Sequence, residues 1–498
     1  MEESQHRLSI LNLVKDSLFY IPEKISSILY GFVFLSIYTR IFSPTEYGDY
    51  SLINATIGIF GIFAYSWLNN SNLRFFSSYR NDNKLENFFS TSFFILIGTL
   101  LCSSILIYIL SNLSILPRSI VNYLMLVIGV LFSTAFFETL QTILRANRNA
   151  KAYSIFSISS SVLYIVISLL LIKMLGLGIS AILLSLILTN SMLSILIILK
   201  FDFKKYINLN YFSIGTLNNF LDYGMPMIAT LLLSWILTLA DRYFIEYFRN
   251  SQEVGIYSAV YQLANYPISL VSSLIFMAST PIIIDVWEKS GEEMTKVLIT
   301  NVVRYYMIIS VPILFGFISL SSDFMHLLGT KYADGVAVVP LIAMSSFIIG
   351  LDIYVSKGLE LKKRTKYLAY IMAIAAAVNI ILNYILIPTY GFYGAGISTV
   401  ISYILYLGLS WFKSWKYLPW KFPTKTAFNC VIASFLMSSV IFIFKLWVPP
   451  SIQNLLILSV VGGLIYLIII YEINEIDTEV DFIKRHYFSK VRIEAENL

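Results

Sequence analysis

Charge is what this sequence has least of. Asp, Glu, Lys and Arg make up 13% of its 498 residues, about half of what a water-soluble domain carries, so a soluble globule is excluded. Cysteine is nearly absent: Cys102 and Cys430 each sit inside an apolar run, which argues against a disulfide, and no metal-ligand spacing exists. The three histidines form no HExxH or related set, so neither a metal centre nor a resident cofactor is expected. No stretch between apolar runs is long enough to fold as a domain, and chemistry, if any, would have to occur among helices. At the N-terminus a charged lead to Lys15 precedes an apolar segment without a small-residue cleavage pattern, so no removable signal peptide is expected.

What the chain has instead is apolar length: 57% hydrophobic residues and a mean hydropathy of +0.76. Windows of about 19 residues mark roughly fourteen runs, at about 18–38, 50–68, 89–110, 120–140, 153–173, 178–199, 220–239, 254–276, 302–320, 336–354, 367–387, 393–411, 427–444 and 454–471. Each is near the length that crosses a bilayer core as a helix. The expected fold class is therefore an all-α integral membrane protein of about fourteen transmembrane helices. Its orientation follows from basic residues. With the N-terminus inside, Arg40, Arg118, Lys173, Arg242, Arg249, Lys331 and Lys445 fall outside, and the other 28 of the 35 Lys and Arg fall inside. That asymmetry places both termini in the cytoplasm. It also explains the net charge of +6 through membrane lipids, without nucleic acid.

The chain repeats itself. Residues 358–401 give a basic run (Lys362, Lys363, Arg364, Lys366), an apolar span, a break at Pro388, the turn GFYGA and a second apolar span. Residues 148–185 have the same basic lead, the same span and the turn GLGI, at an offset of 215 (Gly176 to Gly391, Lys151 to Lys366). Earlier in each half, TEYGDYS (45–51) answers to QEVGIYS (252–258), and Arg40 answers to Arg242. The expected organisation is two six-helix lobes, 1–210 and 211–411, then a linker with helices thirteen and fourteen (412–471) and a cytoplasmic tail (472–498). Repeated bundles of this kind place substrate between them in transporters.

The motifs RIFSPTEYGDYSL (40–52), ADRYFIEYF with EVGIYSAVYQLA (240–264) and LNYILIPTYGFYGAGIST (382–399) resemble those of the Wzx-type oligosaccharide flippases. These are polysaccharide transporters of the multidrug/oligosaccharidyl-lipid/polysaccharide exporter superfamily, and the likeness runs from about residue 10 to 411. It implies two pseudo-symmetric lobes around a central cavity. It also implies passage of an undecaprenyl-pyrophosphate-linked oligosaccharide from the cytoplasmic to the outer leaflet of a bacterial inner membrane. A polysaccharide polymerase and a chain-length regulator are the partners that such a role suggests. Composition and spacing indicate the bundles, not the cargo.

A lipid pyrophosphate inside a bundle needs cations to offset its charge, Arg being suited to bidentate contacts. Candidates are Lys24, six residues into the first span behind Pro22; Arg40 and Arg242 at the outer ends of equivalent helices; Arg304; and Lys357. Each has a plainer reading: Lys24 as a snorkelling side chain beside Glu23, Arg40 and Arg242 as helix C-terminal cations with Glu246 four residues after Arg242, the others as topology determinants. Glu138, Asp241 and Asp352 are candidates for coupling to protons or sodium, since a carboxylate facing a dry cavity exchanges protons near neutral pH. The plainer reading puts Glu138 and Asp352 in water at helix ends. Asn379 and Asn383 share a helix face and suit sugar contact or interhelical hydrogen bonds. Tyr257, Tyr261 and Tyr266 suit sugar stacking or an interfacial belt.

Two rivals stand beside the flippase. A cation-coupled multidrug exporter of the same superfamily should favour acidic cavity groups, whereas the candidates here are mixed. A membrane glycosyltransferase or polymerase should need a sizeable outer loop, which the chain lacks, so the protein is not expected to be an enzyme. Replacing Lys24 by Ala is expected to abolish surface polysaccharide at unchanged protein level, with Lys24→Arg retaining it. Normal polysaccharide in the Lys24→Ala strain removes Lys24 from the mechanism.

Overall fold

In a bilayer an unpaired backbone group has no water to bond, so long apolar runs fold as helices. The computed structural model describes residues 30–477, and among them every regular element is helical. Twelve of the described helices are long and apolar enough to cross a membrane. One of them, Ser251–Ser319, contains two of the expected spans and is interrupted at Gly291 (φ 78°, ψ −168°). The first expected span enters the described residues at 30 and stays helical to 41. Contacts gather the chain into two compact units. One comprises residues up to Tyr266 with Thr365–Leu409, and the other Pro267–Arg364 with Ser410 onward.

The first unit is built on its internal repeat. Helix Pro44–Gly61 starts at Ser43, whose hydroxyl accepts from the Glu46 amide while Glu46 bonds back to the Ser43 amide at 2.8 Å, a capping box. The helix that starts at Ser251 is capped by Asn250, whose Oδ1 accepts from the Glu253 amide at 2.9 Å. These equivalents then meet each other. A Cβ on Gly48 would lie 1.8 Å from the Ser251 carbonyl oxygen, and one on Gly255 would lie 1.8 Å from that of Pro44. One turn further on, Ser51 Oγ donates to Ser258 Oγ at 2.7 Å. Pro44 and Ser251, Gly48 and Gly255, Ser51 and Ser258 are each 207 residues apart, so the two helices cross on a local two-fold axis with their backbones in contact. Small residues and interhelical hydrogen bonds supply such packing in lipid, where burial of apolar surface gives little.

Elsewhere in the unit the same economy holds. Thr139 bonds Asn69 at 2.9 Å, Gln141 bonds Ser157 at 3.0 Å and Asn190 bonds Thr134 at 3.1 Å, around an apolar core of Phe137, Leu140, Leu144, Phe156, Leu193 and Ile197. Helix Lys366–Tyr390 continues through Pro388 rather than breaking there, because a proline near the end of a helix forfeits only one bond. The break comes at Gly391, whose φ of 59° suits glycine. Two side chains hold this turn: Arg249 donates to the Ile387 and Thr389 carbonyls at 3.3 and 3.0 Å, and Glu253 accepts from the Phe392 amide at 3.0 Å. A cation thus meets a helix C-terminus and a carboxylate meets an N-terminus, as the helix dipoles favour.

In the second unit, Lys445 ties helix Thr424–Lys445 to Asp323 at 2.5 Å and to the Ser319 carbonyl at 3.0 Å. Trp411, Trp420 and Phe422 cluster at centroid distances of 5.3 to 6.3 Å. After helix Ile452–Glu472, Glu475 is clamped by Arg304 at 3.3 Å, by Asn429 at 2.8 Å and by Thr426. The remainder of the expected tail, 478–498, lies outside the described residues. Burial raises the Glu475 carboxyl, but the bonds from Thr426, Asn429 and Arg304 outweigh it and hold it below the ordinary carboxylate range.

Two outcomes are expected in thermal unfolding of the purified protein. Gly255→Ala should destabilise by about 3 kcal/mol, the upper end of overpacking costs, while Gly408→Ala, with nothing near its added methyl, should be neutral. Equal midpoints would show that the helices part freely. A carboxyl with a depressed folded pKa stabilises above its unfolded pKa and loses that contribution as pH falls through the folded one. The stability difference between wild type and Glu475→Gln should therefore be largest at neutral pH and shrink below about pH 4. A difference that grows on acidification contradicts the clamp.

Candidate functional site

Arg242 lies at the helix crossing of the first unit. It is 3% exposed and its neighbour Asp241 is 2% exposed. Nη1 reaches Asp241 Oδ1 at 2.9 Å and the Thr238 carbonyl at 2.7 Å, and Nε donates to Ser51 Oγ at 3.2 Å. The guanidinium carbon stands 5.0 Å from the ring centre of Tyr261 and 5.8 Å from that of Tyr257, within cation–π reach. Tyr257 donates its hydroxyl to Asp241 Oδ2. The sequence suggests Glu246 as the partner of Arg242, but the structure pairs Arg242 with Asp241 and gives Glu246 to the Ser251 hydroxyl at 2.9 Å. A charge in so apolar a place needs a buried counter-ion in direct contact, and half-buried Glu246 does not offer one. Arg242 is thus a fork-shaped cation with donors committed to one carboxylate, one hydroxyl and one carbonyl, and carboxylate and phosphate make the same demands on a guanidinium.

The other expected residues are dispersed. Arg40, equivalent to Arg242 in the sequence repeat, is exposed. Asn379 and Asn383, 1% and 0% exposed, bond to each other at 3.0 Å. The other polar atom of each amide, Asn379 Nδ2 and Asn383 Oδ1, has no partner among the described residues. Glu138 is exposed on helix Leu124–Ala146, whereas Asp352 is buried near the end of helix Val339–Val355. The two carboxylates therefore differ in surroundings despite their matching repeat positions. Lys24 lies outside the described residues.

In the second unit Lys357 is buried, with its ammonium 2.5 Å from Glu360 and 5.1 Å from the centre of the Phe276 ring. Arg304 is half-buried in the Glu475 clamp. Sequence reasoning missed the carboxylates that hold these cations, along with Asp323 for Lys445 and Glu292 for Lys362 at 2.8 Å. Glu360, three residues after Lys357, was the one signal available locally; the rest are pairings across 70 or more residues. No group of three or more His, Cys, Asp and Glu among the described residues is placed to hold a metal.

Comparison with known proteins adds the family. The model of the family described as polysaccharide biosynthesis protein matches residues 13–287, and the MatE model matches residues 226–385. The chain is 23% identical over 235 residues to a protein of Haloferax volcanii named probable low-salt glycan biosynthesis flippase, covering 47% of this chain and 49% of that one. It is 25% identical over 262 residues to an uncharacterized membrane protein of Methanocaldococcus jannaschii, covering 51% of this chain and 50% of that one. The chain thus spans about half the length of the curated relatives it matches. Among solved structures, the lipid II flippase MurJ in an inward closed conformation has a TM-score of 0.73 at 17% identity, covering 94% of this chain and 100% of that one. An inward-facing multidrug resistance MATE family transporter of the MOP superfamily has a TM-score of 0.60 at 15% identity, covering 81% and 94%. At such identities the likeness is one of fold. With more than half of its length matched by the first of these family models, the chain belongs to the polysaccharide biosynthesis protein family.

Proposed function

We propose that this protein is a flippase of the bacterial inner membrane. It carries undecaprenyl-pyrophosphate-linked oligosaccharide repeat units from the cytoplasmic to the outer leaflet by alternating access of the lobes 1–210 and 211–411. The product serves O-antigen, capsule or exopolysaccharide synthesis, with a polymerase and a chain-length regulator as downstream partners and both termini in the cytoplasm. The family match over residues 13–287 carries this reading. The buried cations support an anionic cargo: Arg242 and Lys357 are each 3% exposed, and a phosphate would compete for them with the carboxylates of Asp241 and Glu360. Asp241 and Asp352, also buried, are the groups that would link transport to protons or sodium. The match of the MatE model to residues 226–385 favours a second reading, a cation-coupled multidrug exporter. No step in either reading is catalytic.

Reconstitution in liposomes with a fluorescent lipid-linked oligosaccharide on one side tests the choice. Wild type should equilibrate the lipid between leaflets and should not move organic cations. Removing Arg242 alone would strand Asp241 and cost about 3–5 kcal/mol, so the informative variant is the double change Asp241→Asn with Arg242→Gln. It should fold and move the lipid at least tenfold more slowly. Efflux of organic cations without lipid movement selects the exporter, and a double variant as fast as wild type removes Arg242 from cargo contact.

A further inference from the structure

A cavity of about 580 Å³ opens in the first unit, where the turn Ser114–Arg118 meets helix Asp241–Phe248 and Tyr384 of helix Lys366–Tyr390. Its volume is within the roughly 300–1,000 Å³ typical of small-ligand sites. The basic-residue asymmetry assigns all three segments to the outer side of the membrane. None of the residues considered above as cargo or coupling groups lines it.

The walls combine aromatic faces with both signs of charge. Tyr247 is 81% exposed and Tyr384 64% exposed. Phe248 stands between them, edge-on to Tyr247 at 4.9 Å and 84° and to Tyr384 at 5.5 Å and 72°. Tyr243 forms part of the wall and is fixed by a 2.5 Å bond from or to Thr56. The Arg118 side chain is exposed and has no carboxylate partner among the described residues. Glu246 uses one carboxylate oxygen for Ser251, which leaves the other available. These rings, drawn from two helices, converge on one concavity.

The geometry points to a saccharide-binding subsite, which takes the sugar portion of the cargo on the outer face and so rests on the flippase reading above. Ring faces accept the apolar C–H faces of sugars, and hydroxyl groups need both donors and acceptors, which Arg118 and Glu246 supply. A phospholipid headgroup fits less well, because the Glu246 carboxylate would repel its phosphate.

The test uses the full-length protein in detergent and a panel of lipid-free oligosaccharides containing neutral, amino and acidic sugars, with binding read by saturation-transfer NMR and calorimetry. At least one member should bind, and its affinity should fall fivefold or more in Tyr247→Ala and in Tyr384→Ala. Tyr247→Phe, which keeps the ring, should retain it. Phe412→Ala, removing an exposed ring that does not line the cavity, should change nothing. No binding by any member, or equal loss in Phe412→Ala, overturns the subsite. So does Arg118-dependent binding of phosphatidylglycerol vesicles with no saccharide effect. Translocation of the lipid-linked oligosaccharide is measured separately. Transport without saccharide binding sinks only the subsite, while saccharide binding without transport sinks the flippase reading and leaves a sugar site.

Discussion

Two α-carbons without side chains let the first unit close. At Gly48 and Gly255 the helices touch backbone to backbone, and even a methyl group would drive into a carbonyl oxygen. In lipid this matters more than in water, since close packing and hydrogen bonds replace the gain from burying apolar surface. The crossing brings the hydroxyls of Ser51 and Ser258 together, and Ser51 in turn accepts from Arg242. A charged side chain is thus positioned by an approach that only glycine permits.

Around that scaffold, charge is handled in pairs. Arg242 faces Asp241, Lys357 faces Glu360, Arg304 faces Glu475 and Lys445 faces Asp323. In each pair at least one partner is buried, and contact with the opposite charge relieves its desolvation cost. The pairs differ in depth, and this separates their roles. Arg242 is enclosed with its carboxylate, whereas Glu475 anchors the chain that follows the last described helix and belongs to the architecture. Under the flippase reading, a phosphate would be one more anion offered to a cation that already has one, so passage becomes an exchange of partners.

Much of this was legible in the sequence, because bilayer physics leaves the chain few choices. Runs near 20 apolar residues had to be helices, and the recurrence of TEYGDYS as QEVGIYS marked equivalent positions. What the strings could not disclose is that the equivalents touch. Recurrence reports common descent, while contact depends on how the helices lie in three dimensions. The charge partners were hidden for the same reason: Glu475 lies 171 residues from Arg304. Glu246 looked the natural mate for Arg242 at helical spacing, yet burial chose the adjacent Asp241. Pro388 read as a break that the helix does not make, whereas the GFYGA turn is where the sequence puts it, beginning at Gly391, where a positive φ and the grip of Arg249 and Glu253 coincide.

The crossing of Gly48 with Gly255 also speaks to ancestry. Contacts in which each residue meets its own counterpart are the signature of an isologous interface. The seam therefore has the form of a homodimer contact carried on one polypeptide. Equivalent positions differ at Ser43 and Asn250 and at Asp49 and Ile256, while the two glycines, which the crossing itself requires, are alike.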